Sequence, residues 1–149
     1  MTSSKYNINA DQGSSFSLYI EYQTAGGTAI DLNSYDARMQ VRPSFTSPNI
    51  ILNFTGNTAT SSLTGGGSTG YYTTGVSGTT GVSGSGGITL NADSSGVVGT
   101  TGGVYISADA TSMTNVNSGE HRYDIELVNG VTVTRILEGE FKVNPEVTR

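Results

Sequence analysis

Three kinds of residue in this chain carry side chains suited to chemistry. The first is His121, the single histidine, set between Glu120 and Arg122. An imidazole titrates near neutral pH and serves as a base or a metal ligand. Either role needs partners, a nucleophile to activate or further ligands around one ion. The chain has no Cys, and Gly75-Val76-Ser77-Gly78 stops one residue short of a Gly-x-Ser-x-Gly elbow. His121 is therefore expected to be an ordinary surface or strand-edge residue. The second kind is paired carboxylate. Asp124 and Glu126, and again Glu138 and Glu140, are spaced two apart. Two carboxylates can hydrolyse a glycoside when one holds a proton and the other attacks or activates water. On a strand, however, spacing of two puts both acids on one face and Tyr123, Ile125 and Leu127 on the other. A solvated face is the expectation. Arg122 and Arg135 would lie across the hairpin, pairing with Asp124 or Glu126 at about 0.2–1 kcal/mol per pair. The third kind is glycine-rich or Asx-rich loop. Gly65-Gly66-Gly67 and Gly86-Gly87 lack the Lys-Ser/Thr of a phosphate loop. Asn91-Ala92-Asp93-Ser94-Ser95-Gly96 has one acid and no bidentate Glu, so it reads as a tight turn and not a calcium loop. No catalytic residue, metal site or cofactor is expected.

The elements that carry these residues read as strands. Phe16, Leu18, Ile20 and Tyr22 alternate with Ser17, Tyr19 and Glu21, Ala37, Met39 and Val41 with Arg38, Gln40 and Arg42, Ile50, Leu52 and Phe54 with Ile51 and Asn53, and Tyr123, Ile125 and Leu127 with Asp124, Glu126 and Val128. Val131 and Val133 open a further strand that continues through Leu137, Phe141 and Val143. Tyr6 with Ile8, Ile88 with Leu90, and Val104 with Ile106 supply weaker ones. Alternation marks half-buried strands of antiparallel sheets, and seven or eight short ones suggest a sandwich or barrel. Phe16, Leu18, Ile20, Met39, Val41, Phe54, Ile125, Leu127 and Phe141 are the expected core. Asn129-Gly130 predicts a type I′ hairpin turn. Residues 107–113 predict one helical turn capped by Ser107.

Composition narrows the function classes. A length of 149 residues suits one domain, 1–149, with a core sufficient without cross-links. A net charge of −5 with only seven basic residues argues against nucleic acid as a partner. No apolar run approaches the ~18 residues of a membrane helix, so no membrane partner is expected. The first residues lack the basic start and apolar stretch of a secretory leader, which points to synthesis in a cytoplasm.

One stretch stands apart. Pro43 to Ala92 contains no charged residue, and Thr73-Thr74-Gly75-Val76-Ser77-Gly78 repeats as Thr79-Thr80-Gly81-Val82-Ser83-Gly84. The reading is a Gly/Ser/Thr-rich insertion at about 56–86, either a flexible surface loop or a segment ordered by neighbouring proteins. On the second alternative, Tyr71, Tyr72, Thr73, Thr74, Val76, Thr79, Thr80 and Val82 are the candidate partner-binding residues. The tyrosines supply amphipathic anchors and the threonines hydrogen bonds.

Read in order, several stretches resemble a family of bacteriophage tail and baseplate proteins. They are Gln12-Gly13, the Phe16–Tyr22 strand, Ile30-Asp31-Leu32, Ala37 to Arg42, Gly87 to Leu90, Tyr123 to Leu127, Leu137-Glu138-Gly139, and Val143 to Arg149. The chain is similar to the small immunoglobulin-like domain at the N-terminus of phage upper-baseplate proteins, over nearly its whole length apart from about 56–86. The resemblance implies an all-β fold, an immunoglobulin-like antiparallel β-sandwich with the long insertion. It implies a non-enzymatic virion protein docking onto a tail, baseplate or neck, present in several copies among other virion proteins. It carries no catalytic residues. A head decoration protein and a virion carbohydrate-binding module, with Tyr71-Tyr72 stacking on a sugar, are the alternatives.

Overall fold

Strands with one dry face must find a second dry face, and this chain does so by curling one sheet upon itself. The computed structural model describes residues 3–65 and 86–148. Within them run β1 (Ser4–Lys5), β2 (Ile8–Asp11), β3 (Phe16–Glu21), β4 (Asp36–Arg42), β5 (Leu52–Asn57) and β6 (Ser61–Gly65). Then come β7 (Gly86–Leu90), β8 (Gly103–Ala108), the short helix α1 (Ala110–Thr114), β9 (Gly119–Asn129) and β10 (Thr132–Asn144). The strand order is β1-β10-β9-β4-β5-β7-β8-β3, with β2 also on β10 and β6 also on β5. The curl shows in the rings. Phe16 on β3, at one end of that order, sits 5.4 Å centroid to centroid from Phe141 on β10, near the other end. Phe54 joins Phe16 at 6.4 Å and Tyr123 joins Phe141 at 6.3 Å.

The all-β class agrees with the sequence reading, and so do the faces of β4 and β9, whereas Ile51, read as an outward alternate, is buried and Tyr6, read as sharing a face with Ile8, is exposed. Met39, Val41, Phe54, Ile125, Leu127 and Phe141 are fully buried and Phe16 is buried, while Leu18 and Ile20 pack partly buried against this cluster. A fully buried Leu, Ile, Val or Phe contributes about 1.5–3 kcal/mol, so the inner face supplies most of the stability. The sheet is mixed, however, and not purely antiparallel. β1 and β2 run parallel to β10, and β5 parallel to β7. Alternation reports faces and says nothing of strand direction.

Four local expectations are corrected. The hairpin turn lies one residue later than Asn129-Gly130. Thr132 pairs with Asn129, so Gly130 and Val131 form the two-residue loop, and only Gly130 takes a positive φ, +61°. Glycine first in a two-residue loop is the II′ pattern. A bulge at Ile136 between Arg135 and Leu137 then inverts the faces of β10. Leu137, Phe141 and Val143 point inward, but Val133 pairs with outward Val128 and is 49% exposed. The helix is capped by Asp109 and not Ser107, whose place is in β8. The Asp109 carboxylate accepts from Ser112 N–H at 2.9 Å. Finally, the insertion expected at 56–86 is strand at its start. Residues 61–65 form β6 against β5, and Leu63 is buried in the core.

The outer edge of β10 is completed by the chain's first strands in one continuous register, Ser4 opposite Leu137 through Asp11 opposite Asn144. The ladder is interrupted where Tyr6 and Asn7 pass Gly139 and Glu140. There the Tyr6 carbonyl lies so close that any side chain at 139 would overlap it, and it accepts the Tyr123 hydroxyl at 2.6 Å.

Candidate functional site

Among the side chains that alternation sends outward from β4, β9 and β10, three adjacent rows are built from charged and amide groups. Register puts Arg38, Glu126 and Arg135 in the first row. Gln40, Asp124 and Glu138 form the second, and Arg42, Arg122 and Glu140 the third. Four of the chain's five arginines stand in these rows. The first two rows are knit together. Arg38 Nε lies 2.6 Å from Glu126, and Arg135 reaches Asp124 at 3.2 Å, Glu138 at 3.4 Å and Glu126 at 3.8 Å. Arg122 pairs with Glu140 at 3.1 Å. The expected pairing of Arg135 with Asp124 and Glu126 is present, whereas Arg122 chooses Glu140. Burial raises the Asp124 carboxyl above the usual range. The charges of Glu126 and Glu138 raise it further, against the lowering pull of Arg135.

The third row is different. Arg42 and Arg122 are directly opposite, like charge against like charge. Arg42 is held by neutral groups. Its Nη2 and Nε donate to Gln40 Oε1 at 2.7 and 3.2 Å, and its Nη1 donates to the Ser47 carbonyl at 2.8 Å. Beside them a notch of about 100 Å³ opens, walled by Gln40, Ser44 and the ring of Phe45, which is 67% exposed.

His121 is not on the surface. It shares the inward parity of Tyr123, Ile125 and Leu127, sits opposite Phe141, and is 4% exposed. Its Nε2 donates to the Asn117 carbonyl at 2.8 Å, and its buried Nδ1 has no hydrogen-bond partner among the described residues. That parity was visible in the sequence, and it outweighs the polar character of the ring. Among the described residues no group of three His, Cys, Asp or Glu is arranged to hold a metal. No helix among them is long and apolar enough to cross a membrane.

The Asn91–Gly96 stretch is the tight turn expected. Asp93 accepts from Ser95 N–H at 2.9 Å, Ser95 Oγ at 2.7 Å and Val97 N–H at 3.1 Å, and these bonds lower its carboxyl below the usual range. Asn91, in a left-handed conformation at φ +53°, is a buried knot. Its Oδ1 accepts from Leu32 N–H and Gly102 N–H, each at 3.0 Å, and its Nδ2 donates to Asp31 at 2.8 Å.

The candidate partner-binding residues Tyr71, Tyr72, Thr73, Thr74, Val76, Thr79, Thr80 and Val82 lie outside the described residues. The charged face was half visible in the sequence, as outward residues on separate strands. Its third row was missed, because only register brings Arg42 to Arg122. No protein-family model matches the chain, and no curated protein matches it.

Proposed function

We propose that this chain is a non-enzymatic structural protein of a bacteriophage virion, a docking or adaptor component of the tail, baseplate or neck. On this reading the curled sheet corresponds to the immunoglobulin-like sandwich of the upper-baseplate family. Its partners are other virion proteins, it acts in several copies, and it needs no cofactor. The observation that carries the reading is where the resembling stretches fall. Phe16–Tyr22, Ala37–Arg42, Gly87–Leu90, Tyr123–Leu127 and Leu137–Gly139 coincide with β3, β4, β7, β9 and β10, the strands that frame the core. A resemblance confined to loops would carry no such weight.

The reactive side chains support the non-enzymatic half. His121 is buried under the sheet with its Nε2 on the Asn117 carbonyl, Asp93 closes a turn, and Asp124, Glu126, Glu138 and Glu140 are engaged by arginines. The test is quantitative mass spectrometry and electron microscopy of particles purified from an infected culture. The expected result is several copies per particle, with density at the tail, baseplate or neck. Density on the head surface would transfer the protein to the decoration class. Absence from purified particles would overturn the proposal.

A further inference from the structure

We propose that the notch beside Arg42 binds a single carboxylate, presented by an acidic polypeptide segment with an apolar residue next to the acid. The polypeptide nature of the ligand rests on the docking reading above, whereas the carboxylate chemistry rests on the notch alone. A guanidinium has five N–H donors, and Arg42 uses three of them, on Gln40 and Ser47. Two remain. No acid among the described residues pairs with Arg42, although every other arginine of this face has one. Its half-buried charge is thus positioned by neutral groups, with no ion pair among the described residues.

Arg122 sharpens the argument. Like charges directly across a strand pair are unfavourable. Glu140 pairs with Arg122 from the β10 side, and among the described residues no acid forms an ion pair with it from the β4 side. An oxyanion seated between the two guanidiniums removes the repulsion. Arginine's planar fork matches a carboxylate in two parallel hydrogen bonds. The volume of about 100 Å³ is well above the roughly 10–15 Å³ that one water needs, so a carboxylate and its first carbons fit.

The surroundings select one negative charge over two. Asp124 borders the notch, Glu140 stands behind Arg122, and the chain as a whole is at −5. A phosphate dianion or a polyanionic backbone meets those acids, while a carboxylate balances Arg42 alone. Phe45 selects the rest of the ligand. Its exposed ring and the Ser44 hydroxyl offer an apolar wall and a hydrogen bond to the segment that carries the acid.

The experiment is a titration of the full-length ¹⁵N-labelled protein, reading backbone amides and arginine Nε–H signals. The probes are N-acetyl-Leu-Glu-Leu-amide, its Gln counterpart and inorganic phosphate at matched ionic strength. The Glu peptide is expected to shift Arg42, Arg122 and Phe45 saturably and to leave Arg38 and Arg135 in place. The Gln peptide and phosphate should bind at least tenfold more weakly. Arg42→Gln should weaken the Glu peptide at least tenfold. Phe45→Ala, an exposed change that leaves the core untouched, should weaken it severalfold and serves as the readout if Arg42→Gln does not fold. Equal binding of the Gln peptide, equal binding of phosphate, shifts spread over all four arginines, or no saturable response would each overturn the site. Binding by a protein that is absent from particles would sink the virion reading and leave the carboxylate site standing. Abundance in particles without binding would do the reverse.

Discussion

The two faces of the β4-β9-β10 sheet are made from alternate residues of the same strands, and they do different work. Inward, Met39, Val41, Ile125, Leu127 and Phe141 are fully buried and exclude water. Outward, Arg38, Asp124, Glu126 and Arg135 form a network whose side chains remain 18–50% exposed. The inner face contributes stability through buried area and packing, which tolerate volume-conserving exchanges. The outer face contributes little stability, because water and salt screen it, but its pattern of signs is specific.

Substitutions that separate the two faces test the division. Phe141→Ala, which removes the ring that meets Phe16 and Tyr123 edge to face, should cost about 3–5 kcal/mol in urea unfolding. A cost below 1 kcal/mol would mean that the inner face is not the main source of stability. Tyr123→Phe removes the single hydroxyl bond to the Tyr6 carbonyl and leaves that acceptor unsatisfied. It should cost about 1–3 kcal/mol, with faster amide exchange in β1 and β2. On the outer face, a double-mutant cycle of Arg38→Ala and Glu126→Ala should give a coupling of about 0.2–1 kcal/mol that shrinks with added salt. A coupling as large as the Phe141 effect would erase the distinction between the faces.

The smallest expected effect is one of pH. Burial raises the Asp124 carboxyl, so the fold favours its protonated form. That contribution is complete below the ordinary value of 3.8 and is lost as pH rises through the folded value. Asp124→Asn should therefore gain on the wild type between acid and neutral pH. Asp93, held low by its hydrogen bonds, has the opposite sign. Its contribution is present above 3.8 and is lost as pH falls through its folded value, so Asp93→Ala should flatten the acid limb. Urea midpoints measured at several pH values check both.

Parity was the part of this architecture legible in the residues. Met39, Phe54, Ile125 and Phe141 announce their faces through alternation alone, and so does His121 once its parity is weighed above its polarity. What stayed hidden depends on two strands at once. The opposition of Arg42 and Arg122, the parallel pairing of β2 with β10, and the inversion at Ile136 are properties of register, which a single strand does not encode. β6 was hidden for a different reason. Its sequence, Ser61-Ser62-Leu63-Thr64-Gly65, has one apolar residue among small polar ones and resembles the Gly/Ser/Thr stretch beyond it. The burial of Leu63 against β5 decides the matter, and that is a tertiary fact.

The parallel pairing of the first and last strands has a mechanical consequence. Because β1 and β2 run alongside β10 in the same direction, the chain enters beside Leu137 and leaves beyond Asn144, about 23 Å away at the usual rise per residue. A pull on the two ends drives these strands past each other along their length. The ladder from Ser4 to Asp11 is then loaded in shear, together with the Tyr6 N–H bond to the Glu138 carbonyl and the Gln12 N–H bond to the Asn144 carbonyl. Bonds in shear must fail together, whereas an antiparallel pair pulled from one end opens one rung at a time. The seam between the chain's two ends is therefore a clamp against tension, and an object strung in series through it is held by many weak bonds acting as one.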